Sequence, residues 1–273
     1  MTKHLLLSIL FISQLFNCVK KDTSNPDFTL KIYENFIQQL SDNENIIVVP
    51  LKDFEKTIDS TKIIIALRHD VDRDIKTAKK MAKIEHAYGI QSSYYILHTA
   101  DYYLRYYKNK EKRSRRMLKF LRSIQNKYGH EIGWHNDLIT LQVVYNMNSK
   151  EYLHQELNWL RSKGINIVGS ASHGSHFCDQ YGYKNNYFFE ECSKLDIQYP
   201  NLNYVVNQSD TIRFIKGNFS EFQLEYEAYY LNNNKYFSDA SYFDSKRWSL
   251  LNFDFEKLNA SDRIIILTHP IHW

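Results

Sequence analysis

The chain has no C-x-x-C pair and only three cysteines, Cys18, Cys178 and Cys192, which excludes the familiar thiolate zinc and dithiol redox motifs. It has no internal repeat and, after residue 27, no low-complexity linker, so nothing in it marks a repeat array or a string of separate domains. A strong charge bias is also missing. Thirty-five Lys and Arg stand against 31 Asp and Glu, and a net charge of +4 over 273 residues gives no ground for expecting nucleic acid as a partner. The apolar run Leu5 to Phe16, interrupted by Ser8, Ser13 and Gln14, is too short to cross a bilayer as a stable helix.

That run follows Lys3 and His4 and has the length of a signal-peptide core. It ends in Leu15-Phe16-Asn17-Cys18, which resembles a bacterial lipobox, with Asn17 where Gly, Ala or Ser usually stands. Residues 1–18 are therefore expected to be a signal peptide with a lipobox and 19–30 a polar tether. The resemblance implies export to the cell envelope and a membrane anchor through lipid on Cys18. A cleaved secretory peptide with an incidental cysteine is the alternative. An oxidising compartment would permit a Cys178–Cys192 bond, and two free thiols fit the same spacing. The whole chain is 43% hydrophobic and 15% aromatic, enough for one large core, and single α/β barrels commonly have this length.

Strand and helix patterns alternate. Ile63 to Leu67 is a β-branched run suited to a buried parallel strand. The spacing of Ile75, Ala78, Met81, Ala82 and Ile84 predicts a helix over 74–88 that stops at Gly89. Ser92 to Leu97 reads as strand, Met117 to Tyr128 as helix and His130 to His135 as a short strand or turn. Ser149 is placed to cap a helix running to Arg161, with Gly164 at its end. Ile165 to Ser170, Tyr236 to Ser238 and Arg263 to Thr268 read as further strands. Strands separated by amphipathic helices predict a parallel sheet, with an α/β barrel as the architecture.

The chemically interesting residues fall just after the predicted strands, where barrels carry their catalytic loops. Arg68-His69-Asp70-Val71-Asp72 follows the first. Two carboxylates spaced i, i+2 at a strand end can serve one ion and one proton transfer, although a lone D-x-D is more often a surface loop. Gly129-His130-Glu131-Ile132-Gly133-Trp134-His135-Asn136-Asp137 supplies imidazoles, the commonest transition-metal ligands. Ser172-His173-Gly174-Ser175-His176, Ser238-Asp239-Ala240-Ser241 with Arg247-Trp248, and Leu267-Thr268-His269-Pro270 complete the set. Such groups at the ends of different strands are hard to assign to solvated loops.

In order and wording these motifs resemble carbohydrate esterase family 4, the NodB-homology polysaccharide deacetylases, and within it a divergent branch reading R-H-D-V-D, G-H-E-I-G-x-H and L-T-H-P. The resemblance covers about residues 60 to 273 and makes 31–273 a deacetylase-like catalytic domain. It implies a distorted (β/α) barrel and a divalent ion, often zinc. The implied reaction is hydrolysis of N-acetyl groups on an amino-sugar glycan. By position, Asp70 resembles the general base, Asp72 and His135 metal ligands, His269 the acid that protonates the leaving amine, and Asp239 the residue orienting His269. His130 matches no usual ligand. The family's second metal histidine would fall at Ile139. His173 is the preferred substitute, then Asp137, then His176. A catalytically impaired scaffold, acting as a glycan-binding or structural envelope lipoprotein, is the alternative that Ile139 raises.

Two features remain open. Lys108 to Arg116 holds six basic residues and one Glu, and would suit an anionic glycan, phospholipid head groups or merely a solvated lid. Trp134 and Trp248 lie in motifs and, with Arg247, are candidate substrate contacts; core packing is an equal role for the indoles.

Overall fold

The computed structural model describes residues 26–107, 110–195, 202–207, 210–242 and 248–273. The strands are β1 (Ile46–Val49), β2 (Ile63–Val71), β3 (Ser93–Leu97), β4 (Leu104–Tyr107), β5 (Lys110–Arg113), β6 (Glu131–Asn136), β7 (Ile167–Ser172), β8 (Tyr204–Asn207), β9 (Asp210–Arg213), β10 (Tyr226–Glu227), β11 (Lys235–Ser238) and β12 (Arg263–Thr268). One sheet runs β10-β7-β6-β3-β2-β12-β11, and every pair in it is parallel. It curls into an open half-barrel compatible with a barrel-like fold. β1 pairs with Ile63 to Ala66 on the flank of β2 whose later residues, Arg68 to Val71, pair with β3. β4–β5 and β8–β9 are separate antiparallel hairpins. Among the described residues no helix is long and apolar enough to cross a membrane.

The two-residue period of a strand explains how one sequence run serves two cores. All nine residues of β2 are buried. Ile63, Ile65 and Leu67 pack with Tyr33, Phe36, Ile37 and Leu40 of the helix Leu30–Asp42, on the convex side. Ile64 and Ala66 face the concave side with Tyr95, Ala171, Tyr226 and Ile265. Two glycines make room for that inner layer. A Cβ on Gly133 would lie 2.2 Å from the Tyr95 ring, and one on Gly169 would lie 2.2 Å from the Tyr226 ring. The second glycine of G-H-E-I-G is thus a packing requirement of the half-barrel interior.

The predicted helix over 74–88 is found as Ile75–Ala87, capped by the Asp74 carboxylate, which accepts from the backbone N–H of Lys76 and Thr77 at 3.0 Å each. Gly89 ends it with φ +72°. The next helix begins before the expected Met117: Arg115–Arg122, capped by Ser114, continues as a π turn at Ser123–Lys127. Asn148, rather than Ser149, caps the helix Ser149–Ser162, accepting from Glu151 N–H at 3.2 Å. Ser149 instead accepts from Gln142 Nε2 at 2.7 Å. The stretch expected as tether ends inside the folded body, because Phe28 is buried against Trp273 and Leu30 opens a helix. That helix and β1 had no reading in the sequence. Cys178 and Cys192 are free thiols.

One buried carboxylate ties the helices to the sheet. Glu85 is fully enclosed and accepts from Tyr33 Oη, from Ser92 Oγ at 2.6 Å and from Tyr94 Oη at 2.8 Å. His69 Nε2 lies 2.7 Å from it, and the other ring nitrogen of His69 meets Thr268 Oγ1 on β12 at 2.7 Å. Burial alone would raise the pKa of Glu85, but His69, His130 and Ser92 bring it down to about 2. His130 belongs here as well, with Nε2 2.9 Å from Ala82 O, so its role is structural.

Replacing Glu85 with Ala orphans these partners and is expected to cost roughly 3–5 kcal/mol, read by urea unfolding. In wild type the contribution is present above the unfolded carboxyl pKa of about 4.3 and is lost as pH falls toward the folded value. An E85A variant with wild-type stability at neutral pH contradicts the assignment.

Candidate metal centre

β2 sends Arg68 and Asp70 to the concave side, and Asp72 follows just beyond its end. β6 brings His135 alongside through its pairing with β3, which registers Asp70 with Tyr95 and Tyr95 with Gly133. β7 ends at Ser172, and His173 next to it is held by its backbone N–H donating to Asn136 O at 2.8 Å. Ligand atoms of Asp72, His135 and His173 all lie within 4.8 Å of one another.

These three residues fit a divalent ion. His135 Nδ1 lies 2.8 Å from Ala171 O, a pure acceptor, so Nδ1 carries a proton and the lone pair of Nε2 is free. That lone pair faces Asp72 Oδ1 at 3.3 Å. Two ligands about 2.0–2.1 Å from a tetrahedral zinc stand about 3.3 Å apart, so the separation matches one ion between them. Asp72 Oδ1 is buried and has no hydrogen-bond partner. An orphaned carboxylate oxygen beside an imidazole lone pair calls for a cation. Burial raises the pKa of Asp72, but the surrounding histidines outweigh it and hold the carboxyl well below its usual range.

The structure also accounts for Ile139. It lies in the helix Leu138–Tyr145 and is completely buried in the apolar core, so that position is turned away from the ion site. His173 takes the third place. Asp137, the second candidate for it, sits beside the ligand instead, with its Oδ1 3.4 Å from His173 Nδ1. Asp137 also accepts from Thr99 Oγ1 at 2.9 Å and from Asn185 Nδ2 at 3.0 Å. Its own N–H donates to His98 Nε2 at 3.1 Å, a ring that burial keeps neutral by lowering its pKa to about 3. Burial would lower His173, but Asp137, Asp72 and Asp70 push it up to about 9. An ion bound there displaces that proton. His176, the third candidate, is exposed against Phe177 and outside the cluster.

Asp70 is paired by Arg68 in a bidentate bridge, Nε to Oδ1 at 2.9 Å and Nη2 to Oδ2 at 2.7 Å, with both side chains buried. Burial raises its pKa, and Arg68 and His135 lower it further than that, so Asp70 is a carboxylate. His135 Nε2 is 3.5 Å from its Oδ2. On β12, Thr268 registers with His69, which sets His269 level with Asp70. His269 Nδ1 lies 2.6 Å from Asp239 Oδ1.

Asp239, His269 and His272 form a second group with metal-ligand spacing. The fit there is poorer, because Asp239 already receives His269 N–H at 2.7 Å and Trp273 Nε1–H at 3.2 Å besides the His269 ring. Its oxygens are occupied by donors, and its geometry is that of a residue orienting His269.

The candidate substrate contacts fare differently. Trp134 is fully buried and stacks on His98 at 4.6 Å, which makes it a core residue. Trp248 stacks on Phe237 at 5.4 Å and flanks the convex core. Arg247 lies outside the described residues. A cavity of about 490 Å³ opens beside His173, walled by Tyr183, Lys184, Tyr187 and Tyr229. Sequence reading missed Arg68 as the partner of Asp70. It also missed Glu227, a buried acid whose pKa burial raises and whose Oε1 accepts from Ser172 N–H at 2.6 Å, pinning the strand end before His173. Its sequence neighbourhood carries no signal of that role.

Compared with family models, with curated proteins and with solved structures, the chain has no match.

Calorimetric titration with zinc should show one site in wild type and none in an Asp72→Ala/His135→Ala double variant. Asp137→Asn should bind about 10–100-fold more weakly, the usual cost of losing a partner that orients a ligating histidine. A double variant that keeps full metal content removes the site.

Proposed function

We propose that this chain is a metal-dependent hydrolase that removes N-acetyl or related acyl groups from an amino-sugar glycan of the cell envelope, on a distorted (β/α) barrel. The observation that carries the reading is the convergence of Asp72, His135 and His173 next to an ionised Asp70, with the His269–Asp239 pair on the adjoining strand. Export with a lipid on Cys18 belongs to the same reading.

A divalent ion, zinc by its ligand set, supplies Lewis-acid polarisation of the acyl carbonyl and acidifies water when bound. Asp72, His135 and His173 would hold it. Asp70 accepts the proton from the attacking water. Arg68 makes Asp70 a weaker base than a free carboxylate and fixes its plane. His269 Nδ1–H is held by Asp239, which leaves Nε2–H to protonate the departing amine. Burial disfavours the imidazolium, but Asp239 first, then Asp72 and Asp70, push its pKa up to about 9. His269 is therefore charged and able to donate at neutral pH.

Acetate release from acetylated amino-sugar oligomers tests the scheme. Asp70→Asn should keep its metal and lose about 10²–10⁴-fold in rate, the usual contribution of a general base. Asp72→Asn should lose metal affinity, with activity partly restored by added zinc. Activity that depends on protonated His269 is present below its pKa and falls as pH rises through it, and Asp239→Asn should move that basic limb to lower pH. A wild-type chain that binds zinc yet releases no acyl group from a broad glycan panel would leave a binding scaffold as the reading.

A further inference from the structure

The hydrolase reading leaves the basic residues between the third strand and the metal motif without a task, and the fold gives them neighbours that the sequence does not. The helix Ile75–Ala87 packs side by side with Arg115–Arg122 and its continuation Ser123–Lys127. His86 and Tyr128 join them, with rings 5.4 Å apart and His86 Nδ1 3.2 Å from Tyr128 O. The first helix carries Lys76, Lys79, Lys80 and Lys83, and the second Arg115, Arg116, Lys119, Arg122 and Lys127. All nine are exposed except Lys79, which is half-buried. The one carboxylate within these helices is Glu85, sealed in the interior, and the nearby Asp74 is engaged as a helix cap.

The two helices thus hold nine of the 35 basic residues and one of the 31 acidic ones, leaving 26 against 30, or −4, for the rest of the chain. The mild overall charge conceals a polarised molecule. Flanking helices break the pattern. Lys31 pairs with Glu34 on the helix Leu30–Asp42, and Lys150 pairs with Glu221 beside Ser149–Ser162. A concavity of about 630 Å³ lies within the face, walled by Arg115, Lys119, Arg122 and Lys127.

We infer that this two-helix face docks on an anionic phospholipid surface. Single-stranded nucleic acid is normally held by aromatic platforms along a groove, whereas Phe120 and Tyr128 are buried here and Tyr88 is half-buried. What the face presents to solvent is ammonium and guanidinium groups, the form that suits a layer of phosphate head groups. A single acyl chain binds membranes only marginally and holds firmly with a polybasic patch as second signal, so the face complements the lipid expected on Cys18. It lies on the convex side of the sheet, away from the concave metal site.

Full-length chain, wild type and Cys18→Ser, is partitioned onto phosphatidylcholine vesicles with and without phosphatidylglycerol. The anionic vesicles should bind both more tightly, and the excess should fall steeply with salt. Lys80→Glu/Lys83→Glu/Arg116→Glu/Lys119→Glu should lose at least about 10-fold of that excess while keeping zinc content and circular dichroism. These positions touch nothing in the metal centre, so acyl release should be unchanged, and a failure of the hydrolase reading leaves this readout intact. Equal partition onto both vesicle types, an excess retained by the quadruple variant, or displacement by an acidic polysaccharide or nucleic acid at lower charge concentration than phosphatidylglycerol overturns the proposal.

Discussion

The concave side of this sheet is organised by one buried ion pair. An ionised carboxylate cannot stay in the interior of a protein without a partner, and Asp70 keeps its charge because Arg68, two residues earlier on the same strand, meets it with both arms. Other positions follow from that pair. The guanidinium lies 5.5 Å from the centroid of the Tyr95 ring, which in turn needs Gly133 to have no side chain. Removing that Cβ leaves room for Tyr95 while β6 carries His135 up to Asp70. A motif that reads as five consecutive letters is therefore two jobs on alternate residues. Arg68, Asp70 and Asp72 build the interior centre, and His69 between them reaches the opposite side to join Glu85 and Thr268.

This alternation places two buried acidic centres back to back across β2, and their difference in satisfaction separates structure from chemistry. Glu85 is surrounded by donors on both oxygens and behaves as a fastener. Asp72 keeps an oxygen without any donor, next to an imidazole lone pair. Native interiors rarely leave such groups unpaired unless something binds there. The same contrast sorts the two Asp/His clusters: Asp239 is filled by N–H groups and orients, while Asp72 keeps an oxygen that could take a cation.

Much of this was legible in the sequence, for identifiable reasons. The β-branched runs and the helix spacing of Ile75 to Ile84 are local, and the sheet and the capped helix stand where those patterns put them. The motif residues were legible as a group because parallel strands deliver their carboxyl ends to one face. What was not legible depends on direction and distance. Ile139 looked like a lost ligand because helical spacing was assumed, whereas the chain after His135 enters a helix whose first turn faces the core. Asp137 and His173 are far apart in sequence and meet only because β6 and β7 are neighbours, with a register shift between them. Trp134 read equally as a sugar platform or a core residue, since the sequence shows its motif but not its face; on β6 it is one residue from His135 and therefore points to the other side.

Charge shows the same limit on a larger scale. A net +4 excludes a uniformly basic surface, but it says nothing about two segments of like sign that packing makes adjacent. Ile75–Ala87 and Arg115–Lys127 are separated in the chain by β3 and the hairpin β4–β5, and read singly each is an ordinary amphipathic helix with a solvated face. Packed side by side, they put nine cations on one surface with their sole acid turned inward to Glu85's fastening role. Like charges so arranged repel one another and carry a modest cost at low salt. A helical layer that needed only solubility would relieve that cost with interspersed carboxylates, as the neighbouring helix does with Lys31 and Glu34. The fold thus gathers bases on two convex helices, open to an anionic surface, and sets Asp70 and Asp72 on the concave side, where a cation can be held.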